Sequence, residues 1–131
     1  MLIADDPGLA VALARAGFAV EITTGEGGDV DRILACQFGD ICVDFRKGVA
    51  RRGESPVNLT FKELQLLRYL VLRRGSIVSR SELLAAVWCY RGGQTRTVDV
   101  HVASLRQKLE QDAHRPRYVR TVRGKGYVFD G

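Results

Sequence analysis

The chain has 131 residues, enough for one ordinary domain or for one small domain with an extension. Hydrophobic residues make up 46% of it, which predicts a packed core, and no apolar run approaches the roughly 20 residues that a transmembrane helix needs. The N-terminus is acidic where a signal peptide would be basic, so we expect a cytoplasmic protein that does not contact a membrane.

The charge is unevenly distributed along the chain. Residues 1–37 contain two basic and six acidic residues, whereas residues 38–131 contain the other 18 basic residues and nine acidic ones. A basic part behind an acidic head is typical of proteins that bind a polyanion such as nucleic acid. A solvated surface that is merely basic explains the charge equally well.

Motifs for metal binding and catalysis are missing from the sequence. The three cysteines have no CxxC spacing, and there are only two histidines. The glycines of residues 25–28 are not followed by the GK[ST] of a phosphate-binding loop, and no Ser/His/Asp arrangement is evident. We therefore expect no metal, no cofactor and no enzymatic activity.

The N-terminal segment begins with a short apolar stretch, followed by an acidic pair, Asp5 and Asp6. An Ala/Leu-rich helical pattern then ends at Gly17, and residues 18–23 alternate as a strand does. The sequence GEGGDVD over residues 25–31 is typical of a linker.

Residues 38–59 are predicted to form short antiparallel strands. Ile41, Val43 and Phe45 lie on one face of the first of them, and polar residues occupy the other face. Glycines within polar clusters mark the turns between the strands.

Two helices follow, each with a marked start. Thr60 precedes Glu63, and Ser79 precedes Glu82, by the three residues of a capping box. The first helix should end near Arg74, before Gly75, and the second should cover residues 80–88. Their predicted core residues are Phe61, Leu64, Leu67 and Val71 in the first helix, and Leu83, Leu84, Val87 and Trp88 in the second.

The third predicted helix covers residues 96–112. At about 100° per residue, one narrow face is apolar and must be core: Val98, Val102, Leu105 and Leu109. The opposite face has mostly short, uncharged side chains: Arg96, Val100, Ala103, Ser104 and Gln107. Cations lie at its edges, which suits a helix that enters the major groove of DNA, although a simply solvated face stays open as an alternative.

The C-terminal sequence predicts a β-hairpin over residues 118–129. Residues 118–122 and 127–129 alternate as strands, and Gly124 and Gly126 permit a tight reversal between them. Arg123 and Lys125 would project from its tip.

These elements together resemble a known family. The sequences TFKELQLLRYLVLRRGSIVSRSELLAAVW, RTVDVHVASLRQKLE and YVRTVRGKGYVF are similar, in order and spacing, to the DNA-binding effector domain of OmpR/PhoB-type response regulators. The resemblance implies an α+β winged helix-turn-helix over residues 38–131, with a small antiparallel sheet, three helices and a C-terminal hairpin wing. It also implies a sequence-specific regulator of transcription, with the third helix in the major groove of double-stranded DNA and the wing in the minor groove.

The resemblance assigns roles to individual residues of this chain. Arg96 and Thr97 would hold phosphates, Val100 would face thymine methyl groups, and Ser104 would face base edges. Arg106 would hold the far backbone, Thr121 would bind phosphate, and Tyr127 would brace the wing or touch the backbone. The DNA-binding residues expected from the family are Arg96, Thr97, Val100, His101, Ser104, Arg106, Thr121, Arg123, Lys125 and Tyr127.

Ala103 and Ser104 depart from the family pattern, because many relatives carry arginines there. Arginine binds guanine with two hydrogen bonds, which alanine cannot form. We therefore expect weaker direct readout, with more specificity from DNA shape and from binding to tandem sites. The departure also leaves a second hypothesis open: a non-catalytic protein-interaction adaptor that keeps the fold but has lost specific DNA reading.

The resemblance implies two further partners. The loop between the second and third helices contacts RNA polymerase in some members of the family, so Tyr90 and Arg91 are candidate contacts; a variable surface loop is the alternative. A homodimer on tandem DNA sites is also expected, and a monomer in solution is equally compatible with the sequence.

Residues 1–37 resemble the opening of a receiver domain followed by a linker, in which Asp5 and Asp6 match the magnesium-binding acidic pair. A receiver runs to roughly 120 residues, and no later segment supplies the phosphoacceptor. We therefore expect a truncated receiver-like segment without phosphorylation control in this chain. A magnesium-dependent phosphotransfer remnant is a third, weaker hypothesis, and the acidic segment is also predicted to compete with DNA for the basic part.

Overall fold

The computed structural model describes residues 20–22, 33–89 and 94–131. The chain divides into two compact units, Met1–Asn58 and Leu59–Gly131. None of the helices in these described ranges is long and apolar enough to cross a membrane. The predicted acidic pair Asp5–Asp6 and the loop residues Tyr90 and Arg91 lie outside the described residues.

The first unit contains a five-stranded antiparallel sheet in which each strand pairs with the next along the chain. The alternation predicted around Ile41 is confirmed, because Ile41, Val43 and Phe45 are buried while the residues between them are half-buried. The strands are β1 (Val20–Ile22), β2 (Ile33–Phe38), β3 (Ile41–Asp44), β4 (Val49–Arg52) and β5 (Ser55–Val57).

Strand β2 begins earlier than the expected start of the sheet. The predicted boundary between residues 37 and 38 falls inside β2, which pairs with β3 on one side and with β1 on the other. No turn-forming residue separates Ile33 from Phe38, so the strand continues through this point.

The second unit contains three helices and a hairpin. The helices are α1 (Phe61–Leu72), α2 (Arg80–Trp88) and α3 (Arg96–Leu109). Helix α1 has the predicted capping box, in which Glu63 N donates to Thr60 Oγ1 (3.2 Å) and Thr60 N donates to Glu63 Oε1 (2.8 Å). At α2, Ser79 Oγ accepts from Glu82 N (3.0 Å) as predicted. The Glu82 carboxylate does not return to the cap; it pairs with Tyr69 of α1 and with Arg73, the residue after α1.

Most of the predicted helical core is confirmed, with two exceptions. Phe61 was expected in the core but is 71% exposed. At about 100° per residue it lies about 120° from Leu67 and opposite Leu70, both of which are buried. Trp88 is half-buried, and its ring packs edge-on against His101 with 4.8 Å between centroids.

Helix α3 buries its predicted face, Val98, Val102, Leu105 and Leu109. It ends at Leu109, three residues before the predicted end, because Glu110 adopts an extended conformation (φ −80°, ψ 146°). The buried Glu110 carboxylate accepts hydrogen bonds from the backbone N–H groups of Arg117, Tyr118 and Val119 at 2.7–3.2 Å. These bonds hold the loop that leads into the hairpin.

The hairpin consists of β6 (Val119–Val122) and β7 (Gly126–Phe129). Its inner edge pairs with Val78 in the loop between α1 and α2, where Val78 and Tyr127 exchange two backbone hydrogen bonds of 2.8 and 2.9 Å. Gly126 has φ 147°, and a Cβ atom at this position would overlap the Val78 carbonyl. Strand β7 is therefore anchored against this loop close to the turn, while the turn residues Arg123–Lys125 stay exposed.

Candidate nucleic-acid interface

One face of α3 is exposed and forms a stripe of side chains at helical spacing. The members of this outer stripe are Arg96, Val100, Ala103 and Gln107. Val100 is 57% exposed, although it is apolar. This is the face that the sequence predicted to be short and mostly uncharged, and it is a surface that fits the width of a major groove.

Ser104, which was expected to belong to the same face, is half-buried and bonded to helix α1. Its hydroxyl donates to Glu63 Oε2, and Lys108 Nζ donates to Glu63 Oε1 at 2.6 Å. Glu63 is a buried residue whose carboxylate also accepts from Thr60 N. One carboxylate thus joins the start of α1 to two turns of α3, and the Ser104 hydroxyl proton is engaged in that bond.

The pKa of Glu63 follows from this environment. Burial by itself raises the pKa of the carboxyl, since the charged form loses hydration. The hydrogen bonds from Lys108, Ser104 and Thr60 N outweigh burial and bring the pKa below its usual value. Glu63 is therefore held as an anion at neutral pH, and Lys108 supplies the compensating charge.

The other flank of α3 is bonded to the wing, residues 118–129. Asp99 accepts a hydrogen bond from Tyr127 Oη (2.6 Å). It also forms an ion pair with Arg80, whose Nη1 lies 2.7 Å from the Asp99 carboxylate. Tyr127 is buried, and burial together with the Asp99 carboxylate raises its pKa to about 12. The Asp99 side chain thereby ties α3 to both α2 and the wing.

Arg106 joins α3 to the wing at a second point. Its Nε donates to Val119 O (2.9 Å) and its Nη2 to Thr121 Oγ1 (2.7 Å), while the guanidinium lies 5.5 Å from the centre of the Tyr127 ring. Burial lowers the pKa of Arg106, which remains fully charged at neutral pH. Two residues expected to hold phosphates, Arg106 and Thr121, are thus bonded to each other in this structure.

The remaining predicted residues lie at the start of α3 and at the wing tip. His101 is half-buried, and its Nδ1 lies 2.8 Å from Thr97 O, in addition to its contact with Trp88. Arg123 and Lys125 are exposed on the turn that joins the two wing strands.

An open groove of about 500 Å³ separates the wing tip from the first turns of α2 and α3. Its walls are formed by Ser79–Ser81 and Thr95 on one side and by Thr121 and Arg123–Tyr127 on the other, and Asp99 also lines it. Arg80, Arg123 and Lys125 contribute three cations against one carboxylate. The groove therefore favours an anionic ligand that lies between the wing and the starts of α2 and α3.

Three acidic residues of this region were not predicted as functional. Glu63 was identified only as a capping residue, and Asp99 and Glu110 were not singled out. The signal for Asp99 lies in its spacing, since it is seven residues, about two turns, before Arg106 and so points toward the same side of the helix. Nothing local in the sequence marks the partners of Glu110, seven to nine residues away.

No group of three or more His, Cys, Asp or Glu side chains suited to a metal ion occurs within the described ranges. None of the three cysteines forms a disulfide. Cys89 is exposed and has the left-handed conformation (φ 61°) that the C-terminus of a helix commonly takes. Cysteine at this position thus has a backbone conformation that glycine adopts most readily.

Comparison with known proteins adds evidence on ancestry. Residues 53–129 match the family described as "Transcriptional regulatory protein, C terminal". The alkaline phosphatase synthesis transcriptional regulatory protein PhoP of Bacillus subtilis is 48% identical over 78 residues, which are 59% of this chain and 32% of that protein. The sensory transduction protein RegX3 of Mycolicibacterium smegmatis is 34% identical over 122 residues, 92% of this chain and 53% of that protein. The chain thus spans about half the length of these relatives, or less.

Solved structures agree with the fold. The DNA-binding domain of Klebsiella pneumoniae RstA, solved in complex with the RstA box, is 32% identical, with a TM-score of 0.67 over 73% of this chain and 96% of that domain. The response regulator DrrB of Thermotoga maritima, an OmpR/PhoB homologue, is 26% identical, with a TM-score of 0.75 over 99% of this chain and 64% of that one.

Proposed function

Because the chain belongs to the OmpR/PhoB-type family of transcriptional regulatory protein C-terminal domains, we propose that it binds double-stranded DNA in a sequence-specific manner and regulates transcription. In this proposal α3 lies in the major groove and the wing in the adjacent minor groove. The observation that carries it is the exposed outer stripe of α3, which lies beside an exposed wing tip bearing Arg123 and Lys125. The RstA domain, solved with its DNA box, supports the assignment.

The two exposed elements suit different parts of the DNA. A major groove about 12 Å wide admits an α-helix, and the short side chains at Val100 and Ala103 allow a close approach to base edges. Arg123 on the wing tip is suited to a narrow minor groove, where the negative potential is enhanced. Arg96 and Thr97, in the first turn of α3, are placed to meet phosphates, where the helix N-terminus also favours negative charge.

The bonded residues of α3 have a supporting role in this proposal. Arg106, Thr121 and Tyr127 hold the wing against α3 before DNA arrives, and any phosphate contact of Arg106 adds to that role. Ser104 contributes through Glu63 to the position of the helix more than to base recognition. His101 contributes through its contacts with Thr97 and Trp88.

The test is a selection of bound sequences from a random duplex pool, followed by binding titrations at several salt concentrations. We expect a preferred site, and affinity that falls steeply with salt, since each neutralised phosphate releases counterions. Arg123→Ala with Lys125→Ala should reduce the slope of log K against log salt by about 0.9 for each lost contact. The matched control is Arg46→Ala with Lys47→Ala, which removes two exposed cations from the first unit. A pool that shows no enrichment, or equal slopes for both double variants, would contradict the proposal.

We extend the proposal to the rest of the chain. Residues 38–131 form the DNA-binding domain, and residues 1–37 are a receiver-like segment and linker without phosphorylation control. The protein acts in the cytoplasm, has no catalytic activity, and binds tandem sites as a homodimer. Tyr90 and Arg91 contact RNA polymerase. Incubation with acetyl phosphate should leave the intact mass unchanged, and an added phosphoryl group would overturn the absence of phosphorylation control.

A second candidate function rests on the exposed Ala103 and the bonded Ser104. Neither side chain offers a free hydrogen-bonding proton for base recognition. A winged helix with such a face would suit a protein-interaction adaptor. The same selection separates the two functions, because an adaptor would enrich no DNA sequence.

A further inference from the structure

Among the polar side chains of α3, most are already bonded within the protein. Ser104 and Lys108 bond to Glu63, Arg106 bonds to the wing, and Asp99 bonds to Arg80 and Tyr127. Releasing any of these groups to bind a base costs the hydrogen bond that it leaves. Bonded side chains are therefore poorly suited to be the main readers of base sequence.

Gln107 differs from all of these side chains. It is exposed, it lies on the outer stripe with Val100 and Ala103, and its side chain forms no hydrogen bond with any residue in the described part of the chain. Its amide carries one acceptor oxygen and two N–H donors. It is the member of the outer stripe that presents a donor and an acceptor together, because Arg96 is a donor only and Val100 and Ala103 are apolar.

We infer that Gln107 reads adenine, and that with Val100 and Ala103 it directs this chain to an A·T-containing segment of the major groove. The inference rests on the proposed DNA-binding function. A glutamine amide pairs with adenine through two hydrogen bonds, accepting from N6–H and donating to N7. The methyl groups of Val100 and Ala103 are suited to the C5-methyl of thymine, which no other base pair presents.

The spacing along the helix is compatible with this reading. Val100 and Gln107 are seven residues apart, which is about 10 Å at 1.5 Å per residue. That length corresponds to about three steps of a duplex at 3.4 Å each. Val100, Ala103 and Gln107 therefore cover a segment of about three base-pair steps when α3 lies along the groove, with Gln107 at one end of it.

The experiment compares random-pool selections by the whole chain and three variants. The wild type should enrich adenine at one fixed position. Gln107→Ala should lose that preference and bind the selected site roughly tenfold more weakly, the lower half of the range for a bidentate base contact. Gln107→Glu should shift the preference at that position from adenine to cytosine, since a carboxylate accepts from cytosine N4–H. Gln111→Ala, another exposed glutamine just beyond the end of α3, is the matched control and should leave the sequence preference unchanged.

The outcomes separate this inference from the function on which it rests. If the wild type enriches no sequence, the proposed function fails and the inference fails with it. If the wild type selects a site and Gln107→Ala and Gln107→Glu select the same site with equal affinity, the function stands and the inference is overturned. Gln107 is exposed, so urea unfolding of the variants should match that of the wild type and exclude misfolding as the cause.

Discussion

The outer stripe of α3 and its two flanks belong to the same 14-residue helix but differ in how their side chains are used. The flanks are bonded to α1 through Glu63 and to the wing through Asp99 and Arg106. The stripe has no such bonds among the described residues, and it exposes an apolar side chain, Val100, to solvent. A polar residue on the helix proposed to bind DNA is therefore not by that position a reader of bases, because several of the polar residues beside the stripe hold the helix in place.

The largest expected effect on stability comes from breaking the contact between the wing and Val78. Gly126→Ala should lower the free energy of unfolding by about 3 kcal/mol, since the new Cβ overlaps the Val78 carbonyl and φ at this position is 147°. Urea denaturation measures the loss. The matched control is Gly124→Ala at the wing tip, which also has positive φ (76°) but open space around it, and which should cost only about 1 kcal/mol. Equal losses for the two variants would show that the contact between Gly126 and Val78 does not lock the wing in place.

The second largest effect on stability is expected on the flank of α3 that faces α1. Glu63→Ala should lower the free energy of unfolding by about 2–3 kcal/mol, because it removes half of the capping box and the buried carboxylate that Ser104 and Lys108 bind. Glu54→Ala, which removes an exposed carboxylate from a turn, serves as the control and should stay within about 0.5 kcal/mol of the wild type.

The lowered pKa of Glu63 adds a pH signature to this prediction. A carboxyl whose pKa is lower in the folded state stabilises the protein above its unfolded pKa, which is about 4.5. That contribution should be lost as the pH falls below this value toward the folded pKa. Glu63→Gln should therefore show a flatter decline in stability through this acidic window, and a decline as steep as that of the wild type would argue against the bonded anion.

A smaller effect is expected on the flank that faces the wing. Tyr127→Phe should cost about 1–2 kcal/mol, because the Asp99 carboxylate loses a hydrogen bond of 2.6 Å. The pKa of Tyr127 is raised from 10.0 to about 12, so its contribution is complete below pH 10 and is lost as the pH rises toward 12. Stability measured across this alkaline window should fall in the wild type more than in Tyr127→Phe, and parallel curves would contradict the role of Tyr127.

The smallest effect on stability is expected on the stripe itself. Val100→Ala should change the free energy of unfolding by less than about 0.5 kcal/mol, since Val100 is 57% exposed. The affinity of the variant for the selected DNA site should fall by roughly fivefold, because the substitution removes two methyl groups and with them part of the apolar area buried against thymine. A substantial loss of stability without a change in DNA affinity would reverse the roles assigned to the stripe and the flanks.

Local patterns predicted most of the secondary structure of the second unit. The capping signals at Thr60 and Ser79 located the starts of α1 and α2, and the apolar spacing of α3 identified its buried face. The prediction that Phe61 belongs to the core was wrong. Phe61 is the first residue of α1 and lies on the side of the helix opposite the buried Leu70. The start of β2 was missed, since no turn residue separates it from the segment before.

Sequence alone determined the elements of this protein and the face of α3 that points outward, because both follow from short-range periodicity and from capping chemistry between residues three or four positions apart. Only the tertiary structure decided which polar residues of that helix are free. Glu63 lies 41 and 45 residues from Ser104 and Lys108, and Asp99 lies 28 residues from Tyr127. Such pairings depend on how the helices and the wing pack in space, and no local pattern in the chain encodes them.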